Sequence, residues 1–176
     1  CIIGAVSYCS DAGVQLSQDI MNHFACDLNT HIESDIFTNK VLQRGRWLNA
    51  DILQPSYWAF ESKKDALQVA RKKKLPFVVK PADSSGSRGV TIVTKRDSIF
   101  VAIDQAFQFS KNGQILLEDF MPGTEYTVEV FASNKRVVPL LVTRKEKVDE
   151  ETKTVSRSLW SVNPESHFYN QIVELA

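Results

Sequence analysis

The chain has 176 residues, 21 acidic and 21 basic side chains, and a formal net charge of zero. That length fits one domain or two small lobes around a sizeable core, and the balance of charge speaks against a nucleic-acid-binding protein, which usually carries a basic surplus. No apolar run reaches the roughly 18–20 residues that cross a bilayer, so a membrane partner is not expected. The three cysteines, Cys1, Cys9 and Cys26, include no Cys-x-x-Cys pair. So sparse and odd a set is no disulfide framework and points to the reducing cytoplasm. Cys9, His23, Cys26 and His31 fit no common zinc-finger spacing, and Cys9 and Cys26 read as small buried apolar residues.

The opening CIIGAV is too short for a signal-peptide core and lacks a basic leader. IIGAVSY, residues 2–8, reads as a short buried strand. From Val14 to Leu28, Leu16, Ile20 and Phe24 recur at a helical period. The run ESDIFTNKVLQRGRWL predicts one further helix with Ser34 or Asp35 as N-cap. Phe37, Val41 and Leu48 mark its apolar face, and Lys40 and Arg44 share another at i, i+4. ILQPSYWAF holds a proline that bars a helix, and its aromatics suit a strand. SKKDALQVARKKK predicts a helix with a Ser62-x-x-Asp65 capping pattern. Its basic end, 71–74, complements the helix dipole and reads as a solvated face.

PFVVKP and GVTIV are β-rich runs flanking a loop, DSIFVAIDQAFQFSK is a helix expected to be capped by Asp97, and QILLEDF is a strand. Pro122-Gly123 make a turn. In EYTVEVFA, Glu125, Thr127 and Glu129 alternate with Tyr126, Val128 and Val130. Asn134-Lys135 read as a hairpin tip before the strand RVVPLLVTRK, VDEETKTVSRS as a polar loop, and PESHFYNQIVELA as a helix with Pro164 near its first turn. Single helices interleaved with hairpin-like strand pairs argue for an α+β fold of two small lobes with mainly antiparallel sheets. The expected divisions are 1–52, the end of a preceding α/β domain with linker helices, then lobes at 53–112 and 113–176.

The loop between the two β-rich runs carries the chemistry. Neither Gly-x-x-x-x-Gly-Lys-Ser/Thr nor Gly-x-Gly-x-x-Gly is present, so DSSGSRG is weighed on its own physics. Glycines let a backbone approach a ligand and take positive φ, and successive N–H groups form an anion-binding nest. Ser84, Ser85 and Ser87 add hydroxyls, Lys80 a point charge, and Arg88 a clamp for a terminal phosphate. Alone, the loop reads equally well as a polar hairpin connection. About thirty residues on, ILLEDFMPGTEY sets acids around a turn: a strand end offers C=O and N–H groups to a base edge, and a carboxylate past the turn can accept two ribose hydroxyls. An ordinary solvated strand face remains the other reading of Glu125 and Glu129.

In order and spacing these pieces resemble the ATP-grasp superfamily: a helix with NK, a Pro-x-x-x-Lys-Pro strand, SSGSRGV, then LLEDFMPGTEYTVEVF. The wording KPADSSGSRGV looks most like carboxylate–amine ligases related to carbamoyl-phosphate synthetase. The resemblance implies that Lys40 and Lys80 contact ATP phosphates and that the backbone of Ser85, Gly86, Ser87, Arg88 and Gly89 closes over them. It implies that the Asp119 carbonyl and Met121 N–H pair with adenine, with Glu118 and Phe120 beside them, and that Glu125 binds ribose. Lys145 matches a basic position near the phosphates, and Arg157 is a candidate substrate contact. The cofactors implied are ATP and Mg2+, the partners a small carboxylate and an amine, and a homodimer is an allowed assembly.

The family's magnesium ligands, a Glu and a later Glu-x-Asn, are not found up to Ala176 and are expected downstream. The chain therefore reads as a piece of a longer protein, truncated at both ends and inactive by itself, whose complete form is a ligase. The segment VSRSLWSVNPES also lacks the Gly-His-x-x-Pro-like wording of close relatives. Two other readings stay open: bicarbonate activation, as in biotin-carboxylase-like or carbamoyl-phosphate-forming enzymes, and a non-catalytic nucleotide-binding module.

Overall fold

Along Phe77–Pro81 the side chains alternate between buried and half-buried, the period of a strand with one face on a core. In the computed structural model of the protein, which describes residues 4–5, 7, 11–24, 34–133, 136–147 and 156–175, this strand is β2 of a four-stranded antiparallel sheet. The order is β1 (Tyr57–Phe60), β4 (Ile115–Asp119), β2, β3 (Thr91–Val93). The register sets Val78 opposite Glu118 and Lys80 opposite Leu116. Phe77, Val79, Ile115 and Leu117 therefore share one face of the sheet, and Val78, Lys80, Leu116 and Glu118 the other.

The first face is covered by α4 (Lys63–Lys72) and α5 (Ile99–Phe109). Ala66, Ala70, Ala102 and Ala106 are fully or almost fully buried in the core with Phe77, Val79, Val93, Ile103, Ile115 and Leu117. Alanine on the inner helix faces lets the backbones approach the sheet closely, while the strands supply the bulk. Burying a side chain the size of Phe77 contributes about 1.5–3 kcal/mol. Ser62 caps α4 as its sequence predicts, its hydroxyl accepting from the Asp65 N–H at 3.3 Å. At the other end of α4 the Arg96 guanidinium donates to the Ala70 and Arg71 carbonyls at 3.2 and 2.9 Å.

Several sequence expectations are corrected. The helix expected from residue 33 is two, α2 (Asp35–Thr38) and α3 (Lys40–Asn49). Asn39 breaks it, its backbone extended at φ −110°, ψ 112° and its side chain capping α3 through the Val41 and Leu42 N–H groups. Ser34 holds the N-cap position of α2 but makes no side-chain cap bond; its hydroxyl donates to Gln15 on α1 (Asp11–His23). Phe37 and Leu48 are exposed rather than an inward face. Asp97 does not cap α5, because a 3-10 turn, Arg96–Ser98, precedes that helix.

The chain divides into two compact units, Cys1–Phe120 and Met121–Ala176. Pairing of β4 with β1 and β2 carries the first unit past the division expected at 112. The second unit is a three-stranded antiparallel sheet of β5 (Tyr126–Ser133), β6 (Arg136–Lys147) and β7 (Ser156–Ser161), with α6 (His167–Leu175) against β6. β7 occupies part of the segment expected to be a loop, because residues 156–161 complete the edge of β6. A bulge between Glu129 and Val130 shifts the β5–β6 register, and Val130 is exposed while Tyr126 and Val128 on its expected face are half-buried. α6 starts at His167, later than Pro164 suggested, and the Phe168 ring packs edge-on against Tyr126 at 5.3 Å. Most of the strand expected over 2–8, the residues Cys1, Cys9, Cys26 and His31, the tip Asn134-Lys135 and the loop segment 148–155 lie outside the described residues.

Two loop glycines differ in what surrounds them. A Cβ on Gly89 (φ +72°) falls 2.9 Å from both Phe109 Cβ and Pro81 Cγ, whereas one on Gly86 (φ +65°) meets nothing within 4 Å. We expect Gly86→Ala to cost about 1–2 kcal/mol from the left-handed backbone alone, and Gly89→Ala about 1–3 kcal/mol more from the added clash. Urea unfolding of the two variants checks the order; equal losses contradict it.

Candidate functional site

Strand pairing brings two charged residues onto the sheet face away from α4 and α5. Glu118 is 4% exposed, and a carboxylate so deeply placed needs charge and hydrogen-bond partners. It has two. Lys80 Nζ lies 2.7 Å from Oε2, and Arg44 Nε donates to Oε1 at 2.8 Å. Lys80 comes from the neighbouring strand, two residues past the position opposite Glu118. Arg44 comes from α3, where Gln54 bonds its backbone carbonyl at 3.0 Å and its guanidinium stacks 5.0 Å from the Trp47 ring centroid.

Lys40, one turn before Arg44 on α3, points at the glycine loop. Its ammonium donates to the Ser84 carbonyl at 2.7 Å, and its own N–H donates to the Ala82 carbonyl at 2.8 Å. The first turn of α3 is thus fastened to the chain leaving β2. Burial lowers the Lys40 pKa from its ordinary 10.5, and the neighbouring Lys80 charge lowers it further. Lys80 is also lowered, first by burial, with Glu118 opposing the shift. Burial thus disfavours the charged form of both lysines, and nearby carboxylates offset part of that cost.

The loop is anchored at its start and open at its crest. Asp83 accepts from the Lys111 and Asn112 N–H groups at 2.7–3.1 Å and from the Ser110 hydroxyl at 3.2 Å, tying the loop to the end of α5. Ser84 is buried, while Ser85, Gly86, Ser87 and Arg88 are exposed. Gly86, Ser87 and Gly89 all have positive φ. Arg88 curls back, its Nε donating to the Ser85 carbonyl at 3.2 Å. Phe120 is half-buried at the end of the first unit.

In the second unit Met121 is exposed. Glu125 is held by two lysines of β6, Lys145 at 2.7 Å and Lys147 at 2.6 Å, and the Lys145 N–H donates to the Glu125 carbonyl at 2.8 Å. Burial pushes the Glu125 carboxyl up, but hydrogen bonds from Lys145 and Lys147 outweigh it and leave the pKa below its ordinary 4.5. Arg157 is exposed on β7. Among the described residues no three His, Cys, Asp or Glu side chains gather as a metal site, and no helix is long and apolar enough to cross a membrane.

Of the residues singled out from sequence, Lys40, Lys80, Glu118 and the 85–89 loop assemble within the first unit, and Glu125 pairs with Lys145 within the second. Sequence reasoning missed Arg44 as the second partner of Glu118, although its i, i+4 spacing from Lys40 was the available signal. It also read Lys73 as part of a solvated face. That side chain is 7% exposed and paired with Asp119. The basic run around it masked the exception.

A family model described as phosphoribosylglycinamide synthetase, ATP-grasp (A) domain, matches residues 36–156. The D-alanine–D-alanine ligase of Buchnera aphidicola subsp. Schizaphis graminum is 36% identical over 106 residues, 59% of this chain and 33% of that protein. The chain thus spans about a third of that relative's length. Among solved structures, the L-amino acid ligase from Bacillus licheniformis aligns with 99% of this chain and 40% of its own at TM-score 0.76 and 18% identity. The D-alanine–D-alanine ligase from Helicobacter pylori aligns with 89% of this chain and 50% of its own at TM-score 0.65 and 21% identity. These structural likenesses bear out the α+β ATP-grasp fold. With more than half of its residues matched by the family model, this chain belongs to the phosphoribosylglycinamide synthetase ATP-grasp (A) domain family.

Proposed function

We propose that the chain is the ATP-binding part of a ligase that activates a carboxylate as an acylphosphate for attack by an amine. The observation that carries this reading is a pair of partly buried lysines, Lys40 and Lys80, both with lowered pKa, set beside a loop whose Gly86, Ser87 and Gly89 take positive φ. Desolvated cations and a nest-forming backbone are what a polyphosphate needs. Lys40 and Lys80 hold the phosphates, and the N–H groups of residues 85–89 close over them. The backbone of residues 119–121 takes the adenine edge, with Glu118 and Phe120 beside it. As the resemblance implies, Glu125 is assigned to the ribose hydroxyls, Lys145 to the phosphates and Arg157 to the substrate.

The γ-phosphate passes to a carboxylate oxygen, releasing ADP. The amine then attacks the acyl carbon, loses a proton and expels inorganic phosphate. No protein nucleophile takes part, so positioning and charge neutralisation are the whole contribution of these residues. The D-alanine–D-alanine ligases among the relatives favour amino acids as both acid and amine. Mg2+ accompanies the nucleotide in this proposal, but the described residues offer no acidic cluster for it, and none is assigned to it.

Charged hydrogen bonds contribute on the order of 1.5–3 kcal/mol each, so Lys80→Ala should weaken ATP binding by about ten- to a hundredfold in calorimetric titration. Lys64→Ala, exposed on α4, should leave it unchanged. Equal affinities for the two variants reject the role given to Lys80.

The lowered lysine pKa values set a pH dependence. Lys40 and Lys80 release their protons more readily when folded than in the unfolded chain, where the ordinary value is 10.5. The unfolded chain therefore binds more protons between the folded pKa and 10.5, and stability gains from these two groups as pH rises through that window. Phosphate binding has the opposite sign, because it needs the charged ammonium. ATP affinity should fall with rising pH before ordinary lysines titrate, and ATP binding in that window should take up protons. Titrations in buffers of different ionisation enthalpy measure the uptake; affinity that stays flat up to pH 10.5 contradicts the assignment.

A further inference from the structure

Lys73 follows the last turn of α4. Its N–H still donates to the Val69 and Ala70 carbonyls at 3.1 and 3.2 Å, but φ −71° and ψ 143° take the chain out of the helix. Its neighbours Arg71, Lys72 and Lys74 are exposed, whereas its own side chain is 7% exposed. A lysine that buried requires a reason, and the structure supplies two. The ammonium sits 3.6 Å from the centroid of the Trp58 ring, within cation–π reach. It also pairs with Asp119 Oδ1 at 2.5 Å. Trp58 lies opposite Leu117 and Asp119 opposite Phe77, so ring and carboxylate stand on the sheet face that α4 covers.

Asp119 is fastened from a second direction. Its N–H donates to the Ser56 carbonyl at 2.9 Å. The carboxyl is held below its ordinary range, chiefly by the hydrogen bond from Lys73. The last residue of β4 is therefore fixed by backbone, carboxylate and the aromatic platform beneath its cation, one position before Phe120 closes the first unit. An exposed strand end with an unanchored aspartate has no such constraint on its carbonyl.

We propose that Lys73 is a positioning residue for nucleobase recognition. By tying the Asp119 carboxylate to the face of Trp58 it fixes the direction of the Asp119 carbonyl, and so selects a base with an exocyclic amino donor, adenine, over one with an oxygen there, guanine. This rests on the ATP reading above. It assigns the α4–β1–β4 corner a part in specificity while leaving phosphate binding to Lys40 and Lys80.

The test titrates the full-length protein with ATP, GTP and tripolyphosphate, and follows melting temperature for each variant. Wild type should prefer ATP to GTP. Lys73→Met keeps an apolar body over Trp58 and loses the charge. It should bind ATP about five- to tenfold more weakly and tripolyphosphate within about twofold of wild type, so that the ATP-over-GTP preference narrows. Lys73→Arg should keep the preference within about twofold, since it retains both the cation and the aromatic contact. Should Lys73→Met not fold, Trp58→Leu removes the platform instead and should show the same selective loss for ATP. Parallel losses for ATP and tripolyphosphate overturn the proposal, as does an unchanged ATP affinity or a wild type indifferent to the base. A wild-type protein that binds no ATP overturns the nucleotide reading and this role with it, whereas wild-type binding with an unaffected Lys73→Met overturns this role alone.

Discussion

One buried carboxylate organises the first unit. Glu118 has only 4% of its surface in water, and both of its oxygens are occupied by cations from different elements, Lys80 of β2 and Arg44 of α3. Breaking such a pair from one side leaves an uncompensated charge, which costs on the order of 3–5 kcal/mol. The interaction therefore dictates more than a local contact. It holds α3 against the sheet face that the apolar core does not use, and that brings Lys40, one turn earlier, to the carbonyl of Ser84. A sheet with one greasy face and one face bearing a buried ion pair has a defined inside for chemistry and a defined inside for packing.

The loop after β2 depends on the same arrangement. Ala82 is held from both sides, its N–H donating to the Gln114 carbonyl and its own carbonyl accepting from Lys40. Asp83 is tied to the backbone at the end of α5. With its root fixed by these bonds, the exposed crest is free to adopt the left-handed conformations of Gly86, Ser87 and Gly89. Gly89 marks where that freedom ends, because Phe109 and Pro81 leave no room for a Cβ. Rigid root and open crest are the conditions under which backbone N–H groups can turn towards an anion without disturbing the sheet beneath.

Much of this was legible in the sequence, for identifiable reasons. The β-rich run PFVVKP announced β2, the Ser62-x-x-Asp65 pattern announced the start of α4, and the lysine closing an apolar run followed by Ser-Gly-Ser-Arg-Gly announced the loop. What stayed hidden depends on partners distant in the chain. Asn39 is a favoured N-cap residue type, but reading it as a break inside a helical run needs its partner as well, the bond from Lys40 to Ala82, 42 positions later in the sequence. Lys73 sits in a basic run whose other members are exposed, and only the meeting of α4 with Trp58 and Asp119 removes it from solvent. β7 has a polar sequence that reads as loop until β6 offers it an edge. Charge pairs across folded elements are non-local, and a pattern of period 2 or 3.6 carries no trace of them.

The charges around Glu118 also bear on which ligands this face can hold. Two cations, Lys80 and Arg44, pair with the one Glu118 carboxylate, while Lys40 donates to the Ser84 carbonyl and feels the Asp11, Asp83 and Glu118 charges. A monocarboxylate brought alongside competes with Glu118 for the same donors. In the proposed ATP complex a polyphosphate engages Lys40 and Lys80 while Arg44 stays with Glu118. The division of labour follows from geometry: Arg44, 12% exposed and braced by Gln54 and Trp47, is built to stay, while Lys80 on its flexible stem can turn between carboxylate and phosphate. Burial lowers both lysine pKa values, opposed by Glu118 at Lys80 and by Asp11, Asp83 and Glu118 at Lys40, so a further anion alongside stabilises their charged forms. On the proposed reading the buried carboxylate keeps Arg44 in place and leaves Lys40 and Lys80 within reach of a multiply charged ligand, which gains more from them than a singly charged one.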